Sequence, residues 1–203
     1  MSDLSILKQQ VLYAAKHAFD IRLVAATNGN VSAVDRESGR IVITPAAYDY
    51  ERMTEDDIVV IDFDGQKVKG EREPSSEWKM HSVIYQRVER VGAVVHTHSP
   101  YATSFAVNHM EIPVVLSEMA PFLNGAIEVA PYAIQGSMQL GLNVYPILKG
   151  KNAALMANHG VVAVGGSVEE AYDNAIYAEE AAKIYHRALC VGEPVVLEKY
   201  REE

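Results

Sequence analysis

A short apolar run that ends in two histidines lies near the middle of the 203-residue sequence: Ala93-Val94-Val95-His96-Thr97-His98-Ser99-Pro100. Its length and composition predict a buried strand over residues 93–98. Alternate side chains of a strand project from the same face, so His96 and His98 would point in one direction and could bind one ion. The alternative is that two structural histidines happen to end a strand. A catalytic metal centre would need a third protein ligand from elsewhere in the chain.

The best candidate for that third ligand is His159, in the tripeptide Asn158-His159-Gly160. The tripeptide separates two apolar runs, residues 153–156 and 161–164, that we predict to be strands. A tight turn between them would present the imidazole at one end of a sheet. Taken alone, the same pattern is more typical of a turn histidine that faces solvent.

Two hydroxyl residues and a carboxylate mark the start of a predicted helix at Ser75-Ser76-Glu77. The serine hydroxyls are expected to cap this helix, with Glu77 in its first turn. Glu77 is either a simple helix-start carboxylate or the acid–base group of a site, because amides at a helix N-terminus bind anions readily. Gly29 and Asn30 form a second turn with exposed amides, of the kind that can hold a phosphate.

The rest of the chain alternates hairpins and helices. Hairpin turns are predicted at Glu37-Ser38-Gly39 and Asp64-Gly65. Helices are predicted over residues 4–23, 101–107 and 137–148 and from the Ser167-x-x-Glu170 capping box onward, and further strands at 113–116 and 126–130. The expected buried stripe of the last helix is Val168, Ala171, Ala175, Ala178, Ala182, Tyr185 and Leu189. The pattern predicts one α/β domain over residues 1–203, built on a largely antiparallel sheet.

Composition and charge exclude several classes of function. A formal net charge of −9, without a basic stripe, argues against nucleic acid as a partner. No apolar run approaches the roughly 20 residues that cross a bilayer, so no membrane partner is expected. The first residues lack a secretory signal and Cys190 is the one cysteine, which predicts a cytoplasmic protein.

The other histidines are predicted to be structural. His81 lies four residues after Glu77 and could mimic a metal motif, but we favour packing beside its aromatic neighbours Trp78 and Tyr85. The remaining ones have no partner at ligand spacing and are interpreted as surface or core residues: His17, His109 and His186.

Five motifs occur in one order along the chain: Gly29-Asn30-Val31-Ser32, Ile43-Thr44-Pro45, Pro74-Ser75-Ser76-Glu77-Trp78, Val95-His96-Thr97-His98 and Asn158-His159-Gly160. In this order and spacing they resemble the class II aldolase/adducin family, and within it the L-fuculose-1-phosphate aldolases. The resemblance runs from about the first helix to about Leu189. Each motif alone is weak, whereas the set is specific.

The resemblance implies a three-layer α/β/α fold with a central, mainly antiparallel sheet, and a homotetramer whose active sites lie where subunits meet. It implies one divalent ion per subunit, zinc before manganese or cobalt, bound by His96, His98 and His159. Glu77 matches the carboxylate that can ligate this ion in the free enzyme and then acts as acid and base. The residues that match the family's phosphate cradle are Gly29, Asn30, Ser75 and Ser76.

The implied reaction is reversible, metal-dependent cleavage of a ketose 1-phosphate to dihydroxyacetone phosphate and a short aldehyde. The substrate would be L-fuculose 1-phosphate or a 5-deoxy-pentulose 1-phosphate. Two relatives with similar sites give alternatives: methylthioribulose-1-phosphate dehydratase and L-ribulose-5-phosphate 4-epimerase, whose carboxylate is an aspartate where this chain has Glu77. A third alternative is a non-catalytic, adducin-like interaction module, in which the metal ligands would be expected to be lost.

Two departures from the family pattern concern substrate contacts. After Thr44-Pro45 the family commonly has a hydroxyl residue and then glycine, whereas this chain has Ala46-Ala47. The tyrosine that handles the second proton in the fuculose enzymes aligns near Ser117-Glu118. The residue for that proton is therefore unassigned, and the phenols elsewhere in the chain that could take the role are Tyr132, Tyr145 and Tyr200.

Overall fold

Eight strands form one mixed sheet through the centre of the computed structural model, which describes residues 3–198. The strands are β1 (Asn30–Asp35), β2 (Arg40–Ile43), β3 (Val59–Ile61), β4 (Lys67–Lys69), β5 (Ala93–Thr97), β6 (Val129–Ala130), β7 (Ala153–Met156) and β8 (Gly160–Gly165). They lie in the order β4-β3-β2-β1-β5-β8-β7-β6. All neighbouring pairs are antiparallel except β6 and β7, which confirms the expectation of a mainly antiparallel sheet.

Helices cover both faces of this sheet and complete three layers. They are α1 (Asp3–Asp20), α2 (Trp78–Arg87), α3 (Pro100–Val107), α4 (Met138–Leu148) and α5 (Val168–Val191). One apolar core lies between the sheet and α1, α3 and α5, and a second lies between the sheet and α2 and α4. Across residues 3–198, none of these helices is both long and apolar enough to cross a bilayer.

Side chains alternate between the two faces of the sheet along each strand, so neighbouring residues belong to different cores. On β2, Ile41 and Ile43 belong to the core under α2 and α4, whereas Val42 between them belongs to the core under α1, α3 and α5. All three are fully buried. Because the sheet is covered on both faces, every residue of the central strand β5 is buried, including the apolar start of the strand predicted at 93–98.

One predicted strand is wrong and another is shorter than expected. Residues 113–116 form no strand, because Pro113 has no N–H for a ladder and only Ile112 makes an isolated bridge, to Ile127. The strand predicted at 126–130 is reduced to β6. Val114 is nevertheless buried in the core beneath α5, so its apolar character reflects burial without a strand.

Details of α1 and α5 differ from the sequence prediction. The first helix ends at Asp20 and not at residue 23, since Arg22 adopts a left-handed φ of 64°. Ser167 caps α5 through its hydroxyl, but the carboxylate of Glu170 accepts from Gly166 N, so only half of the capping box forms. Leu189, predicted to be buried, is 42% exposed because α5 extends past the core.

Candidate metal centre and active site

Antiparallel pairing brings three distant parts of the chain to one end of the sheet. Strand β5 lies between β1 and β8 and runs antiparallel to both, so its end lies beside the start of each. His96 pairs with Asn30 on one side and with Val162 on the other. His159 immediately precedes β8. The sheet topology therefore places the histidine pair of β5 next to the turn that carries the third histidine.

The structure brings the three predicted imidazoles together. One ring nitrogen from each of His96, His98 and His159 lies within 4.8 Å of the others. The ring centroids are separated by 4.8 Å, 4.8 Å and 5.1 Å. Nε2 of His96 is 3.0 Å from Nε2 of His98, because their side chains project from the same face of the strand. Among residues 3–198, these three histidines are the group of histidine, cysteine or acidic side chains whose geometry could hold an ion.

Local backbone geometry fixes the turn that carries His159. Asn158 adopts a left-handed φ of 55°, which asparagine tolerates better than most residues. Its side-chain oxygen accepts a hydrogen bond from Nε2 of His109 at 2.6 Å. A Cβ on Gly160 would lie 2.5 Å from the carbonyl oxygen of Thr97. Glycine is therefore required for β8 to approach the histidine pair this closely.

Glu77 lies at the N-cap of α2 and faces two of the imidazoles. It is 1% exposed, with Oε2 at 3.0 Å from Nε2 of His96 and Oε1 at 3.4 Å from Nε2 of His159. Burial by itself would raise the pKa of Glu77 and lower that of His96. Their mutual contact outweighs burial, so the pKa of Glu77 lies well below its usual range and that of His96 above its own. Glu77 is thus a carboxylate at neutral pH.

The polar groups at this centre fit a divalent ion. Oε1 of Glu77 and both ring nitrogens of His159 are buried without a hydrogen-bond partner, a costly arrangement unless another group binds them. Nδ1 of His96 donates to the carbonyl of Val161 at 2.9 Å, so the neutral, metal-binding form of this ring would keep its proton on Nδ1 and direct the Nε2 lone pair to the centre. Ligand atoms around a tetrahedral ion at about 2.1 Å are separated by roughly 3.4 Å. Three pairs of candidate ligand atoms here are 3.0 Å, 3.0 Å and 3.4 Å apart.

The protonation of the other two imidazoles also suits metal binding. Burial, followed by the neighbouring charge of His96, lowers the pKa of His98 and of His159 to about 4. Both rings are therefore neutral at pH 7. Neutral imidazole is the form that binds a metal ion.

The predicted phosphate-binding residues adjoin this centre, but they are not all free. Nδ2 of Asn30 donates to Glu77 Oε2 at 3.0 Å, and the Ser75 hydroxyl accepts from the amide of Glu77 at 3.3 Å. The expected serine cap does not form: Glu77, predicted in the first turn, is itself the N-cap residue of α2 and makes no capping bond. The amides of Gly29 and Ser76 donate to no acceptor within residues 3–198. These two amides remain available to an anion.

Gly29 cannot be replaced without disturbing the centre. Its φ is +78°, and a Cβ there would lie 2.5 Å from Cγ1 of Val24 and 2.8 Å from the carbonyl oxygen of His96. The close approach of this turn to β5 explains a glycine before Asn30. It also connects the candidate phosphate turn directly to the backbone of a candidate metal ligand.

The two departures from the family pattern lie at the surface. Ala46 and Ala47 are exposed, and Ala47 adopts a left-handed φ of 46°, the conformation that the family's usual glycine takes without strain. The Ser117 hydroxyl donates to the carboxylate of Glu118 at 3.2 Å. Of the candidate phenols, Tyr132 is 62% exposed and Tyr200 lies outside the described residues.

Sequence reasoning missed the polar cluster behind Glu77. His81 does not simply pack against aromatic rings: it is fully buried and hydrogen-bonded to Ser32 and Asn30. Two patterns could have shown this. Asn30 and Ser32 share a strand face, and Glu77, His81 and Tyr85 recur every fourth residue on a helix. Of the other histidines, His17 is stacked on Tyr13 and His186 lies against Tyr101, whereas His109 contacts Asn158 in the turn before β8.

Comparisons with known proteins place the chain among related sequences and structures. Residues 9–186 match the family model described as class II aldolase and adducin N-terminal domain. The chain is 34% identical over 190 residues to the 5-deoxy-D-ribulose 1-phosphate aldolase of Bacillus thuringiensis serovar kurstaki, covering 94% of this chain and 89% of that protein. It is 38% identical over 191 residues to an L-ribulose-5-phosphate 4-epimerase of Salmonella paratyphi C, covering 88% and 83%. A solved L-fuculose 1-phosphate aldolase matches with a TM-score of 0.92 and 37% identity, covering 98% of this chain and 92% of that chain.

Proposed function

The chain belongs to the class II aldolase and adducin family, and from that premise we propose that it reversibly cleaves a ketose 1-phosphate to dihydroxyacetone phosphate and a short aldehyde. The substrate is a 5-deoxy-pentulose 1-phosphate, after the name of the Bacillus relative, or L-fuculose 1-phosphate, after the name of the solved structure. The observation that carries this function is the buried Glu77 carboxylate, 3.0 Å from His96 and 3.4 Å from His159, beside a third imidazole.

We assign one divalent ion per chain to His96, His98 and His159, with Glu77 as a fourth ligand before substrate binds. Zinc is the first choice, because three imidazoles and a carboxylate suit it, and manganese or cobalt are the alternatives. When bound, the ion supplies a Lewis acid that stabilises negative charge on substrate oxygens by several kcal/mol. The unpaired, buried atoms of Glu77 and His159 support this assignment.

Glu77 is assigned the proton at carbon 3 of the substrate. In cleavage the hydroxyl on carbon 4 would give its proton to the second, unassigned proton-transfer group, and the bond between carbons 3 and 4 would break as that oxygen becomes the aldehyde carbonyl. The electron pair stays with the carbon 3 fragment, and Glu77, after taking up a proton from solvent, would donate it to carbon 3. In synthesis the Glu77 carboxylate removes the same proton. Its lowered pKa keeps it in the basic form that synthesis requires.

We assign the substrate phosphate to Gly29, Asn30, Ser75 and Ser76. The unpaired amides of Gly29 and Ser76 and the exposed hydroxyl of Ser76 support this, because amides at turns and helix N-termini bind anions. Asn30 links this group of residues to Glu77 through the 3.0 Å contact of its amide. Anchoring the phosphate here would place the reacting carbon beside the acid–base group.

Turnover of ketose 1-phosphates tests the proposed function. We expect purified enzyme to release dihydroxyacetone phosphate from a 5-deoxy-pentulose 1-phosphate or from L-fuculose 1-phosphate, measured by coupled oxidation of NADH. The reverse reaction should consume dihydroxyacetone phosphate only when an aldehyde is added. Absence of both reactions in metal-loaded enzyme would reject the aldolase assignment.

The epimerase is a second candidate because of the 38% identity to the Salmonella relative. An epimerase would interconvert pentulose 5-phosphates and would release no dihydroxyacetone phosphate. Glu77 favours the aldolase, since the epimerases resembled by this chain carry the shorter aspartate there. Incubation with L-ribulose 5-phosphate, analysed for its epimer, separates the two activities in one experiment.

We propose that the enzyme is a homotetramer with active sites near the contacts between subunits. Large apolar side chains are exposed from the end of β6 to the start of α4, with Ile134 at 71%, Tyr132 at 62% and Met138 at 48%. Apolar surface of this kind favours association. Light scattering should give four times the 22.3 kDa of one chain, and Ile134→Asp should lower that mass. A wild-type monomer at micromolar concentration would contradict the proposal.

We also propose a cytoplasmic location. Cys190 is a free and exposed thiol on α5. A reducing compartment keeps such a thiol unpaired.

A further inference from the structure

A buried chain of hydrogen bonds runs from the catalytic carboxylate into the core. Nδ2 of Asn30 donates to Glu77 Oε2 at 3.0 Å, and Oδ1 of Asn30 lies 2.5 Å from Nε2 of His81. Nδ1 of His81 lies 2.6 Å from the Ser32 hydroxyl, which is 2.7 Å from the Tyr85 hydroxyl. Every residue of this chain is at most 3% exposed.

The chemistry of the groups fixes the direction of each hydrogen bond. A carboxylate only accepts, so Asn30 must turn its NH₂ group toward Glu77 and its oxygen toward His81. Nε2 of His81 must then carry the proton. Burial lowers the pKa of His81 to about 3, so the ring is neutral and its Nδ1 accepts from Ser32. Ser32 in turn accepts from Tyr85. Each group therefore donates its hydrogen bond to the next group in the direction of Glu77.

Two secondary-structure elements hold this chain in register. Asn30 and Ser32 alternate on β1 and therefore share the face that is covered by α2. Glu77, His81 and Tyr85 follow at intervals of four on or next to α2 and therefore share one side of that helix. Buried polar side chains give less stability than apolar ones of the same size, so packing alone does not account for them.

We propose that His81 is a positioning residue, which acts through Asn30 to hold the Glu77 carboxylate in the orientation that proton transfer requires. This proposal depends on the proposed function of Glu77. The hydrogen bonds of His81 go to Ser32 and Asn30 and reach neither the histidine centre nor Oε1 of Glu77. It fixes the Asn30 amide, the amide fixes Oε2, and Oε1 is left facing His159 at 3.4 Å.

A matched pair of variants tests this role. In His81→Gln the side-chain amide nitrogen reaches the position of Nε2 and can still donate to Asn30. In His81→Asn the shorter amide reaches only the position of Nδ1, which keeps the Ser32 contact and loses Asn30. We expect His81→Asn to lower kcat about tenfold to a hundredfold with KM and bound metal unchanged, as for other groups that orient a metal-site residue. We expect His81→Gln to keep most of the wild-type kcat.

The outcome is decided by wild-type turnover, by crystal structures of the two variants and by the kcat of each variant. Wild-type turnover is measured first, and its absence would reject the proposed function and not the role of His81. Crystal structures of both variants then provide a readout that is independent of activity: Glu77 should keep its 3.0 Å contact with His96 in His81→Gln and lose it in His81→Asn. Equal kcat in the two variants, or an unmoved Glu77 in a folded His81→Asn protein, would overturn the proposal. Tyr85→Phe, at the far end of the chain, should change kcat less than threefold.

Discussion

Glu77→Gln is expected to lower kcat by about 10²–10⁴-fold while the protein still binds one divalent ion per chain. That range is typical for removal of a general acid–base group. Glutamine has the size of glutamate and can still contact Asn30, but it cannot carry the proton to or from carbon 3. The three imidazoles remain as ligands, so the loss should appear in kcat and not in metal content. Steady-state kinetics together with elemental analysis of the purified variant measure both quantities.

Glu73→Gln is the matched control for this prediction. Glu73 lies four residues earlier, its side chain is 79% exposed, and it pairs with Lys67 at the surface. Its replacement should leave kcat and KM within a factor of two. A Glu77→Gln enzyme that turns over at the wild-type rate would remove the proposed role of Glu77, whatever the metal content.

Removal of the divalent ion is expected to abolish turnover. A Lewis acid that contributes several kcal/mol to the transition state corresponds to a loss of at least about 10³-fold, since each 1.36 kcal/mol is a factor of ten. Dialysis against a chelator followed by gel filtration gives the metal-free enzyme for assay. Added zinc, manganese or cobalt should restore the activity, and the most effective of them identifies the preferred metal.

Circular dichroism is the control for loss of structure in the metal-free enzyme. The histidine centre lies at one end of the sheet, whereas the two apolar cores lie between sheet and helices, so the fold should persist. Full activity in a preparation shown to contain no divalent ion would contradict the mechanism. Activity lost together with the circular dichroism signal would show that the ion supports the fold instead of the reaction.

Local patterns in the sequence predicted much of the fold. The apolar runs at 153–156 and 161–164 are β7 and β8, and the turn residues at 37–39 and 64–65 do connect paired strands. The strand prediction failed where apolar residues are buried in the core without forming a strand. Val114 is in the core, but the neighbouring Pro113 prevents a ladder, and periodicity does not distinguish buried loop from buried strand.

The sequence was sufficient to predict the individual residues of the candidate site, but not the contacts that join Asn30 and His81 to it. Strand alternation correctly placed His96 and His98 on one face, and the turn at Asn158 does present the third ring. The contact between Asn30 and His81 joins residues 51 positions apart. It depends on the pairing of β1 with β5 and on the packing of α2, and neither is encoded by a local pattern. Residue spacing alone therefore suggested an ordinary packed histidine at position 81.

Metal content with anomalous diffraction tests the central claim most directly. The account predicts one divalent ion per chain in the purified protein, with an anomalous peak bounded by the rings of His96, His98 and His159 and by the Glu77 carboxylate. His159→Ala should remain folded and lose most of the ion. A well-folded wild-type protein that takes up no divalent ion, or that binds it away from these three rings, would contradict the account.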